Sequence, residues 1–195
     1  WAFVRDISER KNAERTLLNQ LQKVTILHSL ANAGVKAETV DDLLKEATWI
    51  LGNSLYSENF GIFIFDAENE ILRRHFSFRT NMVDAQKCGE EISITEGIIG
   101  RAYKSGQLQR IDDITKDVDY YQAYGESQSE LTVPIIIHDK VFGVINTESP
   151  IVACYKKEDE ERRFFISVCV RLTFWFLILI GAALLLSAIK AIKEY

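Results

Sequence analysis

Residues 129–150 read SELTVPIIIHDKVFGVINTESP, and this stretch decides the fold. Two runs rich in Val and Ile, 129–138 and 141–148, are separated only by Asp139 and Lys140. A two-residue connection between such runs marks an antiparallel hairpin, although Asp-Lys is not a favoured turn pair. Pro134 lacks a ladder donor, which suits an edge position or a local bulge. Gly143 carries no side chain and leaves room there for a neighbouring backbone or a ligand.

Upstream of the hairpin, residues 96–114 read EGIIGRAYKSGQLQRIDDI. Thr95 is placed to cap a short helix over 98–104, with Gly106 closing it. Residues 108–111 form a further strand, followed by the loop DDITKDVDYYQAYGESQ. Three earlier strand-like segments lie at 60–65, 69–78 and 91–94. In the first, Ile62 and Ile64 alternate with Phe63 and Phe65, so no polar face remains, as expected of a central strand covered on both sides. Residues 67–70 make the tight turn after it. Val40, Leu43, Leu44, Ala47, Ile50 and Leu51 recur at helical spacing over 40–53, after a turn around Gly34. Residues 9–32 are helical in composition. Leu17, Leu21, Val24 and His28 follow heptad spacing there, and Leu18, Leu27 and Leu30 widen the face. That pattern fits a signalling helix paired with its copy, or one amphipathic helix packed on its own sheet. At the start, Trp1, Phe3 and Val4 with Arg5 and Asp6 look like the end of a β-strand, with Ser8 or Asp6 capping the first helix. A last helix is expected over 155–165. The sum is an α+β sandwich around one mainly antiparallel, six-stranded sheet with helices on both sides.

The 195 residues carry 23 basic and 28 acidic side chains, a formal charge of −5, which argues against non-specific nucleic-acid binding. Cys88, Cys154 and Cys169 are widely spaced and form no metal-binding pattern, which suggests reduced thiols in the cytosol. The charged start excludes a signal peptide, and the absence of an initial Met suggests a piece of a longer protein.

Two stretches resemble known families. FVRDISERKNAE, residues 3–14, resembles the closing strand and linker of a PAS sensor domain. Residues 20–165 resemble a GAF domain, through EGIIGRAYKSGQLQRIDDI and SELTVPIIIHDKVFGVINTESP in that order and spacing. The resemblance implies residues 1–10 as the end of a PAS-like domain, 11–32 as a linker or signalling helix and 33–168 as a GAF-like domain; residues 169–192 read from their own composition as an apolar C-terminal helix, a departure from the family's amphipathic last helix. It also implies a small-molecule pocket between sheet and covering helices, homodimerisation through the first and last helices, and a catalytic output, such as a histidine kinase, outside this chain. The expected function is a sensory module of a signal-transduction protein; the alternative is a membrane-tethered scaffold with no small-molecule ligand.

The candidate pocket residues are Phe76, Phe78 and Arg79, Asp112, Tyr120, Tyr121 and Tyr124 of the long loop, and Thr132 and Asn146 of the hairpin. Tyrosines make an amphipathic wall, apolar on the ring and hydrogen-bonding at the tip. An anchored surface loop explains them equally well. Gly97, Gly100, Gly106 and Gly143 suit tight packing as well as ligand approach, and the helix starting near Glu96 offers N–H groups to an anion. His75 is a remote haem candidate beside a surface reading. No nucleophile–base–acid motif is legible and no catalytic residue is assigned. The cofactor stays unknown. Some GAF-like proteins reduce free methionine sulfoxide with clustered cysteines; here only Cys88 lies in a suitable loop, without an obvious resolving cysteine.

Residues 172–189, LTFWFLILIGAALLLSAI, contain no ionisable side chain. As a helix the run would be about 27 Å long, close to a bilayer's hydrocarbon thickness. It reads as a transmembrane segment, which would make this a membrane-associated cytoplasmic domain, or as a dimer helix buried on every side.

Overall fold

The hairpin lies between the edge strand and the central strand of a six-stranded antiparallel sheet. A computed structural model describes residues 2–54, 59–79, 91–120, 127–157 and 159. Its strands are β1 (Asn59–Asp66), β2 (Ile71–Arg74), β3 (Glu91–Ser93), β4 (Gln109–Ile111), β5 (Ser129–Ile137) and β6 (Lys140–Ser149), ordered β3-β2-β1-β6-β5-β4. Among the described residues they are accompanied by the helices α1 (Ala2–Lys36), α2 (Val40–Ser54) and α3 (Gly97–Ser105). The architecture is the expected α+β one.

The β5–β6 turn lies one residue earlier than expected. Ile137 pairs with Lys140, and His138 (φ 48°) and Asp139 (φ 60°) occupy the turn. A primed turn needs two left-handed residues, which His and Asp tolerate better than most. Pro134 pairs with Val144 on one side, and β4 has already ended opposite Thr132, so the missing donor falls beyond the short edge strand. A register shift follows at Ile135/Ile136.

The period of two splits the sheet into two faces. Phe60, Ile62, Ile135 and Ile145 pack against Ile26 and Leu30 of α1 and Leu44, Ala47 and Leu51 of α2. Leu131 and Val133 continue this face beneath Tyr155, whose hydroxyl meets Thr147 Oγ1 at 3.1 Å. On the opposite face Phe63, Leu72, Ile92 and Val144 pack under Ile99 and Ala102 of α3. β1 is therefore covered on both sides.

Helix α2 starts at a reciprocal cap: the Asp42 N–H donates to Thr39 Oγ1 at 3.1 Å, and the Thr39 N–H donates to Asp42 Oδ2 at 3.1 Å. The turn before it is Ala37–Thr39; Gly34 itself belongs to α1. The expected end of a β-strand at the N-terminus is not formed. Phe3 and Val4 are helical, and Ser8 lies inside α1 rather than capping it. No Gly or Pro interrupts residues 2–33, and the backbone closes its own hydrogen bonds as a helix. The single broad apolar face expected of α1 is split in two. Ile26, Leu30 and Ala33 are buried, whereas Leu17, Leu18, Leu21 and Val24 are exposed.

The helix expected over 155–165 falls mostly outside the described residues; Lys157 and Asp159 are helical, and Asp159 accepts from the Lys156 N–H at 2.9 Å. The apolar run 172–189 also lies outside them. Among the described residues no helix is long and apolar enough to cross a membrane.

Candidate ligand-binding face

The α3 side of the sheet changes character along β5 and β6. Val144 is apolar and lies under α3, but the next positions on the same face are Asn146 and Glu148, opposite Thr132 and Glu130. All four side chains are buried: Thr132 is 0% exposed, Asn146 2%, and Glu130 and Glu148 3% each. They form a polar row inside a sheet. Thr132 Oγ1 lies 2.7 Å from Asn146 Oδ1 and 2.9 Å from Glu130 Oε1, and Asn146 Nδ2 donates to Glu148 Oε1 at 3.2 Å. Glu148 Oε2 has no hydrogen-bond partner. The Ser127 hydroxyl approaches closely enough to favour ionised Glu148, without meeting it in hydrogen-bond geometry.

Two facing carboxyl groups without a bonded cation resist ionisation. Burial first, then the Glu148 charge, pushes Glu130 well above the usual carboxylate range. Burial raises Glu148 to about 7. Both are desolvated acids whose charged forms call for a matching cation.

Arg101 of α3 closes the row's outer side. Its guanidinium donates to Asp117 Oδ2 at 2.6 Å, Asp117 Oδ1 at 3.2 Å, Asp119 Oδ2 at 2.8 Å and Gln109 Oε1 at 3.1 Å. It thereby ties α3 to β4 and to the loop beyond β4. Asp117 is held below its ordinary range chiefly by this arginine. Arg101 acts on Glu130 only through space, while its hydrogen bonds go to the loop and to Gln109 of β4. The loop starts as a 3-10 turn, Ile114–Lys116, capped by Asp113, and Tyr120 N–H donates to the Asp117 carbonyl at 3.2 Å.

The sequence-predicted residues divide between two places. Thr132 and Asn146 stand together in the polar row. Phe78 joins them: its ring lies where a Cβ on Gly61 would be, and Gly61 pairs with Asn146. Arg74 stacks on the Phe78 ring, 4.6 Å from its centroid. Tyr120 belongs to the strap held by Arg101; Tyr121 and Tyr124 lie outside the described residues. Asp112 stands apart at the exposed end of β4, 3.5 Å from Arg110 Nε. Phe76 and Arg79 are on the other side, against α2, where they line a cleft with Trp49. His75 also faces α2, with Nδ1 2.7 Å from Ser77 Oγ and Nε2 3.6 Å from Asp41, and burial lowers its pKa. Neither nitrogen is directed at the carboxylate face.

The sequence reading missed Glu130, Glu148 and Arg101. The signal was present: in SELT and NTES an acid shares the face of Thr132 or Asn146 at period two. The expected Thr95 cap is not formed either. Glu96 occupies the N-cap of α3 without a side-chain cap bond, and the Thr95 N–H bonds to Ser93 Oγ. Cys154 is half-buried beside Leu131 and Val133, on the helix-packed side; Cys88 and Cys169 lie outside the described residues.

The chain thus combines an antiparallel six-stranded sheet with paired helices on one face and a short helix and strap over a polar row on the other. The family model described as the GAF domain matches residues 37–169, and the chain belongs to that family. Among curated proteins, YtsP of Bacillus subtilis strain 168 is 31% identical over 70 residues, 36% of this chain and 43% of that protein. The free methionine-R-sulfoxide reductase of Escherichia coli K12 is 27% identical over 70 residues, 36% of this chain and 42% of that protein. The matches thus span less than half the length of these relatives. The free methionine-R-sulfoxide reductase of Neisseria meningitidis, solved with its substrate, superposes with a TM-score of 0.71 at 16% identity, covering 80% of this chain and 90% of that one.

Proposed function

We propose that this chain is a ligand-binding sensory module whose ligand presents a protonated amine to Glu130 and Glu148. The observation that carries the reading is the buried pair itself: two carboxyl groups face each other across β5 and β6, and Glu148 Oε2 accepts no hydrogen bond. An ammonium brings three donors and a positive charge, which satisfies both deficits at once. Ligand entry would compete with the Arg101–Asp117 tie and so change the order of the strap. The exposed heptad stripe of α1 would carry that change to a second copy, and the run 172–189 would hold the module at a membrane.

The test is calorimetric titration of the full chain with L-methionine and its sulfoxide, against N-acetyl-L-methionine, which lacks the cationic amine. The free amines should bind, the acetylated form should not, and Glu148→Gln should weaken binding about tenfold or more, the loss of one charged contact. Equal binding of the acetylated compound would remove the amine from the proposal.

A second reading, reduction of free methionine sulfoxide, is favoured by the names of the similar proteins. Thiol-dependent turnover of the sulfoxide that disappears in Cys88→Ser would establish it; binding without turnover supports the sensory reading.

A further inference from the structure

On the α2 side of the sheet, Lys45, Glu46, Trp49, Phe76, Ser77 and Arg79 line a cleft of about 580 Å³. Two large aromatic rings stand in water there, one on each wall: Trp49 is 62% exposed and Phe76 71%. Neither contributes to the core, and leaving such rings exposed forgoes the burial that usually stabilises them.

The cleft is built rather than loose. Phe76 leans on the buried imidazole of His75, with ring centroids 4.3 Å apart and planes at 39°. The Ser77 hydroxyl is held between His75 Nδ1 at 2.7 Å and Thr48 Oγ1 at 2.8 Å. Arg79 is anchored at both ends. Its backbone exchanges two 2.9 Å hydrogen bonds with Phe60, and its guanidinium lies over Gly52, where any Cβ would obstruct it, donating to Asn53 Oδ1 at 2.6 Å. Among the described residues the walls thus offer two aromatic faces and two cations, Lys45 and Arg79, against one carboxylate, Glu46.

We propose that this cleft is a second ligand site, taking a small planar aromatic anion such as an aromatic carboxylate. The ring would stack on Trp49 and Phe76, and the acid group would meet Lys45 and the free edge of the Arg79 guanidinium. The volume suits a molecule of one or two fused rings. The site is separate from the carboxylate pair, which binds the opposite charge on the opposite face of the sheet.

The experiment uses the full chain labelled with 5-fluorotryptophan, with the Trp49 fluorine resonance assigned by Trp49→Phe. 2-Naphthoate is titrated in, with 2-naphthamide as the uncharged control. The expected result is a saturable shift of the Trp49 line by the naphthoate. Lys45→Glu should raise its Kd about tenfold, the weight of one charge contact. The amide should bind at least as poorly as the naphthoate binds to Lys45→Glu. No shift, an equal shift with the amide, or a Kd unchanged in Lys45→Glu overturns the proposal. Trp49 reports only on this side of the sheet, so the amine proposal and this one can fail separately.

Discussion

At the residue scale, position in the register decides chemistry more than residue type does. Glu68 and Glu148 are the same acid, yet the first is an exposed turn residue and the second is buried opposite another carboxyl. Burial raises Glu148 to about 7 in the folded chain, against about 4.5 when unfolded. Its contribution to stability is therefore complete below pH 4.5 and is lost as pH rises through 7. The loss is on the order of a few kcal/mol. Glu148→Gln should flatten the fall in denaturation midpoint between pH 5 and 8; an unchanged slope would mean the carboxyl is solvated. Gly143 answers a question the sequence left open, between a neighbouring backbone and a ligand. The space its missing side chain leaves is taken by the Phe63 carbonyl of β1. Gly143→Ala should cost about 2 kcal/mol or more in urea unfolding, because two paired strands must separate to admit one methyl. Gly106 differs in kind: its φ of 63° ends α3 in the left-handed region, and its N–H reaches the Ala102 carbonyl.

At the element scale, one side chain ties the strap over the polar row to α3. Arg101 supplies the hydrogen bonds that join α3 to Asp117 and Asp119, while the Ile114 N–H donates to the Gln128 carbonyl at 3.0 Å and ties the start of the strap to the residues before β5. The Arg101 side chain is 31% exposed and Asp117 11%, so solvent screens the pair only in part. Arg101→Ala should lower the local stability of the strap by about 1.4 kcal/mol, read as tenfold faster amide exchange at Asp117, Asp119 and Tyr120. Exchange unchanged there would show that the 3-10 turn stands without the arginine. This coupling was not legible beforehand, since Arg101 and Asp117 belong to different elements and only the return of β4 beside α3 brings them together. The helical periods of α1 and α2 were legible, as was the central position of β1. The N-terminal strand was misread because an apolar-aromatic start suits strand or helix alike, and only available partners decide between them.

At the scale of the whole molecule, α1 is longer than the domain it packs against. Its buried contacts begin at Ile26, and residues 7–18 are exposed throughout, including Ile7, Leu17 and Leu18. A helix exposed all round is marginal in water, and heptad-spaced leucines are the usual means by which two such helices shelter each other. Leu17→Asp with Leu21→Asp should convert a dimer to a folded monomer in sedimentation equilibrium, with the thermal transition of the sheet domain retained. A chain that is monomeric before substitution would remove the dimer from the proposed function. What the sequence by itself determined is everything carried by local periodicity: the helices, the hairpin, the central strand and hence the α+β class. Those signals depend only on neighbours a few residues apart. Tertiary structure alone decided which face of each strand meets which layer, because a shift of one residue inverts every side chain. It set Glu130 against Glu148 by register, and through the irregular turn at 75–78 it placed Phe78 with Asn146 and Phe76 and Arg79 on the other side of the sheet.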